Sequence, residues 1–413
     1  MVRSVAASLV VAAGAASHAL AQRAAVTSRL AGTFSDSVTA VARGVAWHRM
    51  RNAAGPWTVN LVTIDLDRCG CTLREVRAKD SLVAREKVSE MVARQPDAPR
   101  VLAAINADFF DVKTGENENN QVIDGEWWKG VRVTDSPYDT FDNPHTQFAI
   151  GPDGKPRIDR YVFDGSVAGW ARGGTSRASG GVAFPLTALN FLPRGTLEAA
   201  VLYTPRYGTT PRDTARKLAE VRLRAVRGRN DSTVYVVTAP PATVGGNAIA
   251  PGELVLAAYG PRSSAVAGFT VGDTVVVVLQ AAADFGRTPL VPRLLVGGWP
   301  RILTGGAVTA ADAARLEGTL SSNAEARHPR SAIGFSRDGA RVFIMTVDGR
   351  SEDSGGMTLV EMALFLRDRG AAQAMNFDGG GSSTLVVNGR VVNAPSDKEG
   401  ERPVGNALLV VAR

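Results

Sequence analysis

The sequence predicts an α+β protein, a mixed α/β body whose β-sheet core is flanked by helices, with a β-rich subdomain inserted at about residues 152–292. Three observations lead there. Alternating or wholly apolar runs mark strands near both ends of the chain. Helical spacing appears between those runs. The middle is made of short β-rich segments punctuated by Gly and Pro.

Taken in order, residues 1–21 read as a signal peptide. Arg3 gives a short positive region, Val5 to Ala16 is small and apolar, and Ala19-Leu20-Ala21 suits cleavage. That apolar run is too short for a spanning helix, and no later window is long enough, so a secreted or periplasmic protein without a membrane span is expected. Residues 22–98 form a β/α lead-in, and 99–413 the main domain that carries the insertion. Val59 to Leu66 alternates as a strand, and Thr72 to Ala78 reads as its partner across Cys69-Gly70-Cys71. Cysteines that close make a small local staple or stay as two free thiols, and no further Cys or His pair completes a zinc site.

Leu82 to Arg94 has helical spacing in Val83, Val88, Met91 and Val92 and stops before Pro96. Val101 to Ile105 is an all-apolar run, the pattern of a buried strand. In the middle, Ala199–Tyr203, Thr233–Thr238, Leu254–Tyr259 and Thr274–Gln280 read as strands. Ala332–Ser336 and Arg341–Val347 follow, joined by Arg337-Asp338-Gly339. Thr358 and Glu361 then form a capping box for a helix with Leu359, Met362, Ala363 and Leu366 on one face, ended by Gly370. The strand Ala374–Phe377 enters the run Asp378-Gly379-Gly380-Gly381-Ser382-Ser383. Beyond it, Asn388-Gly389 marks a two-residue hairpin.

Composition bounds the function. With 45% hydrophobic and 21% charged residues in 413, the chain is an ordinary globular protein. Its net charge of +7 comes from scattered arginine without a basic stripe or nucleic-acid module, which excludes a nucleic-acid partner and suits anionic envelope or matrix polymers. The sequence is silent on oligomeric state.

The chemistry gathers in few places. Asp108, Asp348 and Asp378 each follow a predicted strand, and if those strands are neighbours their carboxylates meet in one crevice. Paired carboxylates serve glycosidic hydrolysis, one as acid and one as base or nucleophile. The same three could instead hold Ca²⁺ or Mg²⁺ through oxygen, the only cofactor the sequence suggests. The turn Gly379, Gly380, Gly381, Ser382 and Ser383 can present successive N–H groups as an anion-binding nest. Arg327, Arg330, Arg350 and Arg402 are candidate phosphate or carboxylate ligands. His328 is a candidate acid or base, and Phe109, Phe110, Trp127, Trp128 and Trp299 are candidate sugar-stacking or core residues.

These motifs occur in a specific order. Ile105-Asn106-Ala107-Asp108-Phe109-Phe110-Asp111 is followed by Gly297-Gly298-Trp299-Pro300, by Arg327-His328-Pro329-Arg330-Ser331-Ala332-Ile333-Gly334, and by Val347-Asp348-Gly349-Arg350. The glycine run comes next, then Val391-Val392-Asn393-Ala394-Pro395-Ser396-Asp397 and Gly400-Glu401-Arg402-Pro403-Val404-Gly405-Asn406. The series, from Val101 to Val411, resembles the phosphodiester glycosidase family. The resemblance implies hydrolysis of an α-glycosyl phosphodiester by a secretory enzyme with an α/β catalytic body. Under it, Asp348 and Asp378 take acid/base or nucleophilic roles, with His328 as a further catalytic candidate. The glycine turn and the four arginines bind the anion, and Asn106 and Asp108 line the sugar side. Asp108 stands where the family often has a small or hydroxyl residue, so the substrate need not be the family's usual one. Two other readings stay open: a glycosidase acting on a non-phosphorylated polysaccharide, and a non-catalytic glycan-binding envelope protein.

Overall fold

The computed structural model describes residues 29–137, 139–170, 181–193, 197–229, 232–283 and 288–413, so the leader read over residues 1–21 lies outside them. Within this range the chain builds three sheets, of eight, fourteen and five strands. Strands take 47% of the chain and helices 12%, which overturns the expected α+β class. The helices are few and short. The segment read as a helix from Leu82 to Arg94 is helical only over Val88–Ala93, and the longest helix, Leu359–Asp368, has ten residues. A sheet face that helices were expected to cover is covered mainly by another sheet.

The eight-stranded sheet is antiparallel throughout. At its centre Trp57–Asp65, Arg341–Val347, Arg330–Phe335 and Gln373–Phe377 lie side by side in that order. The five-stranded sheet places Leu385–Val387, Val101–Asn106 and Asn406–Ala412 next to one another. Every residue of Val101–Asn106 is buried, as the all-apolar run predicts. The two sheets share one core, in which Ile105, Leu385 and Leu408 of one meet Ile64, Ile333 and Phe377 of the other. Burial of apolar area at about 25 cal/mol per Å² makes this interior a main source of stability.

The middle segments read as strands are strands: Ala199–Tyr203, Ser232–Val237, Glu253–Tyr259 and Thr274–Ala283. They run in one fourteen-stranded sheet with Glu126–Val131, Thr146–Ile150 and Leu294–Gly297. The last of these leads through Trp299-Pro300 directly into Arg301–Thr304 of the eight-stranded sheet, so the chain passes between sheets at Trp299. Cys69 and Cys71 are joined as a disulfide, which resolves the choice between a staple and free thiols.

The capping box forms as predicted. The Thr358 hydroxyl accepts from the Glu361 N–H at 3.1 Å, and the Glu361 carboxylate accepts from the Thr358 N–H at 2.9 Å. Met362, Phe365 and Leu366 of this helix bury against Phe343 and Met345 of the eight-stranded sheet. Because the cap satisfies N–H groups that the helix itself cannot, Thr358→Ala should lower unfolding stability by about 1 kcal/mol. Chemical denaturation reads this directly, and an unchanged midpoint would contradict the assignment.

Candidate active site

Strand direction builds the site. Arg341–Val347 and Gln373–Phe377 both pair antiparallel with Arg330–Phe335 between them, so they point the same way and end on the same sheet edge. Register places Arg330 opposite Val347 and Ser331 opposite Phe377. Asp348, Arg330 and Asp378 therefore leave the sheet at one edge, although Asp348 and Asp378 stand two strands apart, roughly 10 Å between backbones.

Asn106, at the end of the facing strand Val101–Asn106, ties this edge to the other sheet. Its Oδ1 accepts from the Ser331 hydroxyl at 2.7 Å and the Thr384 N–H at 3.1 Å, while its Nδ2 donates to the Asp378 carbonyl at 2.7 Å. The Asp378 N–H donates to the Ala107 carbonyl at 2.8 Å. Asn106 is thus a positioning residue behind the turn, 1% exposed, and not part of a sugar-facing wall.

The glycine turn is tight and internally bonded. Gly379 N–H donates to the Asp378 carboxylate at 2.9 Å, Gly380 N–H to the Pro329 carbonyl at 2.8 Å, and the Ser382 and Ser383 N–H groups to Gly379 and Gly380 carbonyls at 3.1 and 3.2 Å. These four groups are engaged and do not form an open nest. Each glycine answers a different demand. A side chain on Gly379 would lie 2.8 Å from the Pro329 carbonyl oxygen, Gly380 has φ +60°, and a side chain on Gly381 would overlap the Asp397–Arg402 ion pair.

In front of the turn lies a cleft of about 260 Å³. Asp378 and Gly379 to Gly381 line it together with His328, Arg330, Arg350 and Arg402, and Trp299 and Phe109 supply aromatic surface. Arg330 is buried and bonded to the carbonyls of Met357 and Ala326 at 3.1 Å each. Burial holds its basicity down, to about 10, against the pull of the Asp378 charge. Arg402 is paired with Asp397 and reaches the Ser382 hydroxyl at 3.4 Å. Arg350 is exposed, has φ +64°, and lies over Gly380 with a contact to the Ser396 hydroxyl at 3.3 Å. Its guanidinium has no acidic partner among the described residues. His328 is half-buried, and burial with Arg330 and Arg350 nearby lowers its pKa, which favours the neutral imidazole. Trp299 is 2% exposed, stacks on His145 at 4.6 Å and meets Phe109 edge-on at 5.7 Å.

Asp378 keeps an open side at the cleft, but its carboxyl is hemmed in by protein. Burial pushes its pKa up to about 6, opposed by the Ser382 hydroxyl and Arg402. Several sequence candidates lie elsewhere. Asp348 does not line the cleft; its Oδ1 accepts from the Ala394 N–H at 3.0 Å, and burial raises it to about 6. Asp108 is 2% exposed behind the cleft, bonded to the Asn119 N–H at 3.1 Å and Nδ2 at 2.6 Å, and burial raises it too. Arg327 turns away to Glu361, at 2.6 Å, and lies over the Trp57 ring. Ser382 and Ser383 are buried under the turn. Among the described residues no three Asp, Glu, His or Cys side chains are grouped to hold a metal, so Asp108, Asp348 and Asp378 do not meet as cation ligands.

The sequence reading passed over Glu118 and Asn376. Glu118 sits near Asp108 and Asp378, and burial followed by the Asp108 charge raises it to about 8. It belongs to the polar run Glu116-Asn117-Glu118-Asn119-Asn120, whose concentration of amides and carboxylates was the available signal. Asn376 lies on the strand Gln373–Phe377, two residues before Asp378, the spacing that puts side chains on one face.

Comparison with known proteins bears on the same region. Residues 225–411 match the family described as phosphodiester glycosidase. The mouse N-acetylglucosamine-1-phosphodiester alpha-N-acetylglucosaminidase is 38% identical over 86 residues, 21% of this chain and 16% of that protein. An SPbeta prophage-derived protein of Bacillus subtilis is 44% identical over 84 residues, 20% of this chain and 13% of its own length. The chain thus spans only about a sixth of these relatives or less. A crystal structure of a Burkholderia pseudomallei protein superposes with a TM-score of 0.70 at 19% identity, over 94% of this chain and 98% of the other, a likeness of fold.

Behind the cleft, Glu75 accepts from the Asn406 Nδ2 at 2.6 Å and the Gln121 Nε2 at 2.5 Å, and burial raises it from 4.5 to about 8. The folded protein therefore binds a proton that the unfolded chain has released between these values, so stability is full below about 4.5 and falls as pH rises through about 8. Glu75→Gln keeps the accepting oxygen and removes the titration. The drop in melting temperature between pH 6 and pH 9 should be smaller in this variant; an equal drop would show that Glu75 is not protonated in the fold.

The motifs quoted from residue 297 onward fall inside the family match, while Ile105 to Asp111 lies outside it. Over residues 225–411 the chain is thus similar to the phosphodiester glycosidase family.

Proposed function

We propose that this protein is an extracytoplasmic glycosidase that hydrolyses an α-glycosyl phosphodiester, freeing a sugar and leaving a phosphomonoester. The carrying observation is that Asp378 shares one cleft with Arg330, Arg350 and Arg402. The family match over residues 225–411 and the names of the relatives support the same reaction class. The leader pattern in residues 1–21 supports export, and no helix among the described residues is long and apolar enough to cross a membrane.

The chemistry explains why a single carboxylate in the cleft suffices. An ordinary glycosidase protonates a poor alcohol leaving group and so needs a second carboxyl group as acid. A phosphate ester leaves as a stable anion. What its departure needs is preorganised positive charge, supplied by Arg350 and Arg402 at the mouth and Arg330 beneath. Asp378 faces the anomeric carbon as its ionised carboxylate. His328, held neutral, orients water or the phosphate oxygen and adds no charge. Asp348 then supports the Ala394 turn and takes no chemical step. Export to a compartment holding phosphodiester-linked glycans fits the net charge of +7.

Purified protein assayed on UDP-N-acetylglucosamine and on p-nitrophenyl glycosides should turn over the phosphodiester faster than the neutral glycoside. Asp378→Asn should reduce kcat by about 10³-fold or more, whereas Asp348→Asn, which keeps its accepting oxygen, should stay within roughly tenfold of wild type. With Asp378 near 6, kcat/KM should rise with pH through about 6 and then level. Equal loss in both variants, or no turnover of any glycosyl phosphodiester, overturns the proposal.

A further inference from the structure

The arginines account for the anion, but two polar atoms of the same cleft remain unexplained. Asn376 and Thr319 both line it and are 3% and 2% exposed. Asn376 Oδ1 and Thr319 Oγ1 have no hydrogen-bond partner. A buried polar atom left unpaired is unfavourable, which points to a partner that completes it.

The orientation of Asn376 is determined by its surroundings. Its Nδ2 donates to the Trp299 carbonyl at 2.6 Å, and a carbonyl can only accept, so Oδ1 is the free acceptor. The Trp299 N–H in turn donates to the Asn376 carbonyl at 2.8 Å. Thr319 belongs to a segment tied to the same tryptophan, whose indole N–H donates to the Glu317 carbonyl at 2.8 Å. Gly318 between them has φ +70°, and the Thr319 backbone bridges to Asp139. Both unpaired atoms are therefore anchored to Trp299 rather than to the glycine turn. Neither residue carries a charge, and the free Asn376 oxygen is an acceptor, which cannot pair with an ionised phosphate oxygen.

We propose that Asn376 and Thr319 form the subsite for the neutral sugar, with Asn376 Oδ1 accepting from a hydroxyl or acetamido N–H of the ring and the Thr319 hydroxyl pairing with an adjacent substituent. The inference rests on the glycosyl phosphodiester reading and extends it: charge at Arg330, Arg350 and Arg402 takes the anion, while Asn376 and Thr319 discriminate among sugars. Recognition of this kind rejects a ligand that lacks the donor, because the protein acceptor is then left buried and unpaired.

The test is a titration of the intact protein with N-acetylglucosamine 1-phosphate, free N-acetylglucosamine and inorganic phosphate, followed by calorimetry and tryptophan fluorescence. Thr319→Val, nearly isosteric, and Asn376→Leu are compared with wild type after thermal unfolding has established that each is folded. Sugar phosphate and free sugar should each bind about tenfold more weakly in either variant, and inorganic phosphate should change by less than about twofold. Phosphate binding that weakens as much as sugar binding overturns the subsite, and so does sugar binding that neither variant changes. If wild type binds free sugar in a Thr319-dependent way but binds no phosphate, the subsite stands and the phosphodiester reading falls.

Discussion

The carboxamide of Asn106 joins the two sheets at the point where the cleft opens. It uses one acceptor twice and one donor once, reaching Ser331 on the eight-stranded sheet, the Thr384 amide beyond the glycine turn, and the Asp378 carbonyl. No apolar residue of similar size could replace it without leaving three buried groups unpaired. Much of the site inherits its geometry from this joint. The Asp378 backbone is held from both sides, by Asn106 and by the Ala107 carbonyl, so its carboxylate has little freedom to wander from the cleft.

Electrostatics then work within that frame. The cleft collects three guanidinium groups and one carboxyl group, and the layer behind it collects Asp108, Glu118 and Glu75. Burial raises all three rear carboxyls, which favours their protonated forms. Each of these carboxyls that holds its proton cancels less of the arginine field at the mouth. That matters because at an effective dielectric of about 20, unit charges 4 Å apart interact by roughly 4 kcal/mol.

Much of this was legible in the sequence and some was not, for definite reasons. Strands with strong patterns, the Thr358 capping box and the motif that sets Asp378 after a buried strand are local properties, and local physics decides them. Which layer covers a strand is not local. The pattern of Val88, Met91 and Val92 is genuinely helical but makes only Val88–Ala93, and the expected helical layer is instead a second sheet. Likewise a position after a strand says which edge Asp348 leaves from, but not whether its side chain turns into the cleft. It turns toward the Ala394 amide. Arg327 and Arg330 are three residues apart, yet Arg330, the first residue of its strand, lines the cleft, while Arg327, ahead of the strand, turns to Glu361.

The three glycines after Asp378 look in sequence like one requirement repeated. In space they answer three unrelated ones: clearance for a carbonyl, a left-handed backbone turn, and room for an ion pair. Such a motif resists drift in an unusual way. No single rearrangement elsewhere can relax all three positions, because each is constrained by a different neighbour: Pro329, the chain's own path, and the Asp397–Arg402 pair. Loss of one glycine would also leave a distinct trace, since only the last would be relieved by shortening the side chains at 397 and 402 together.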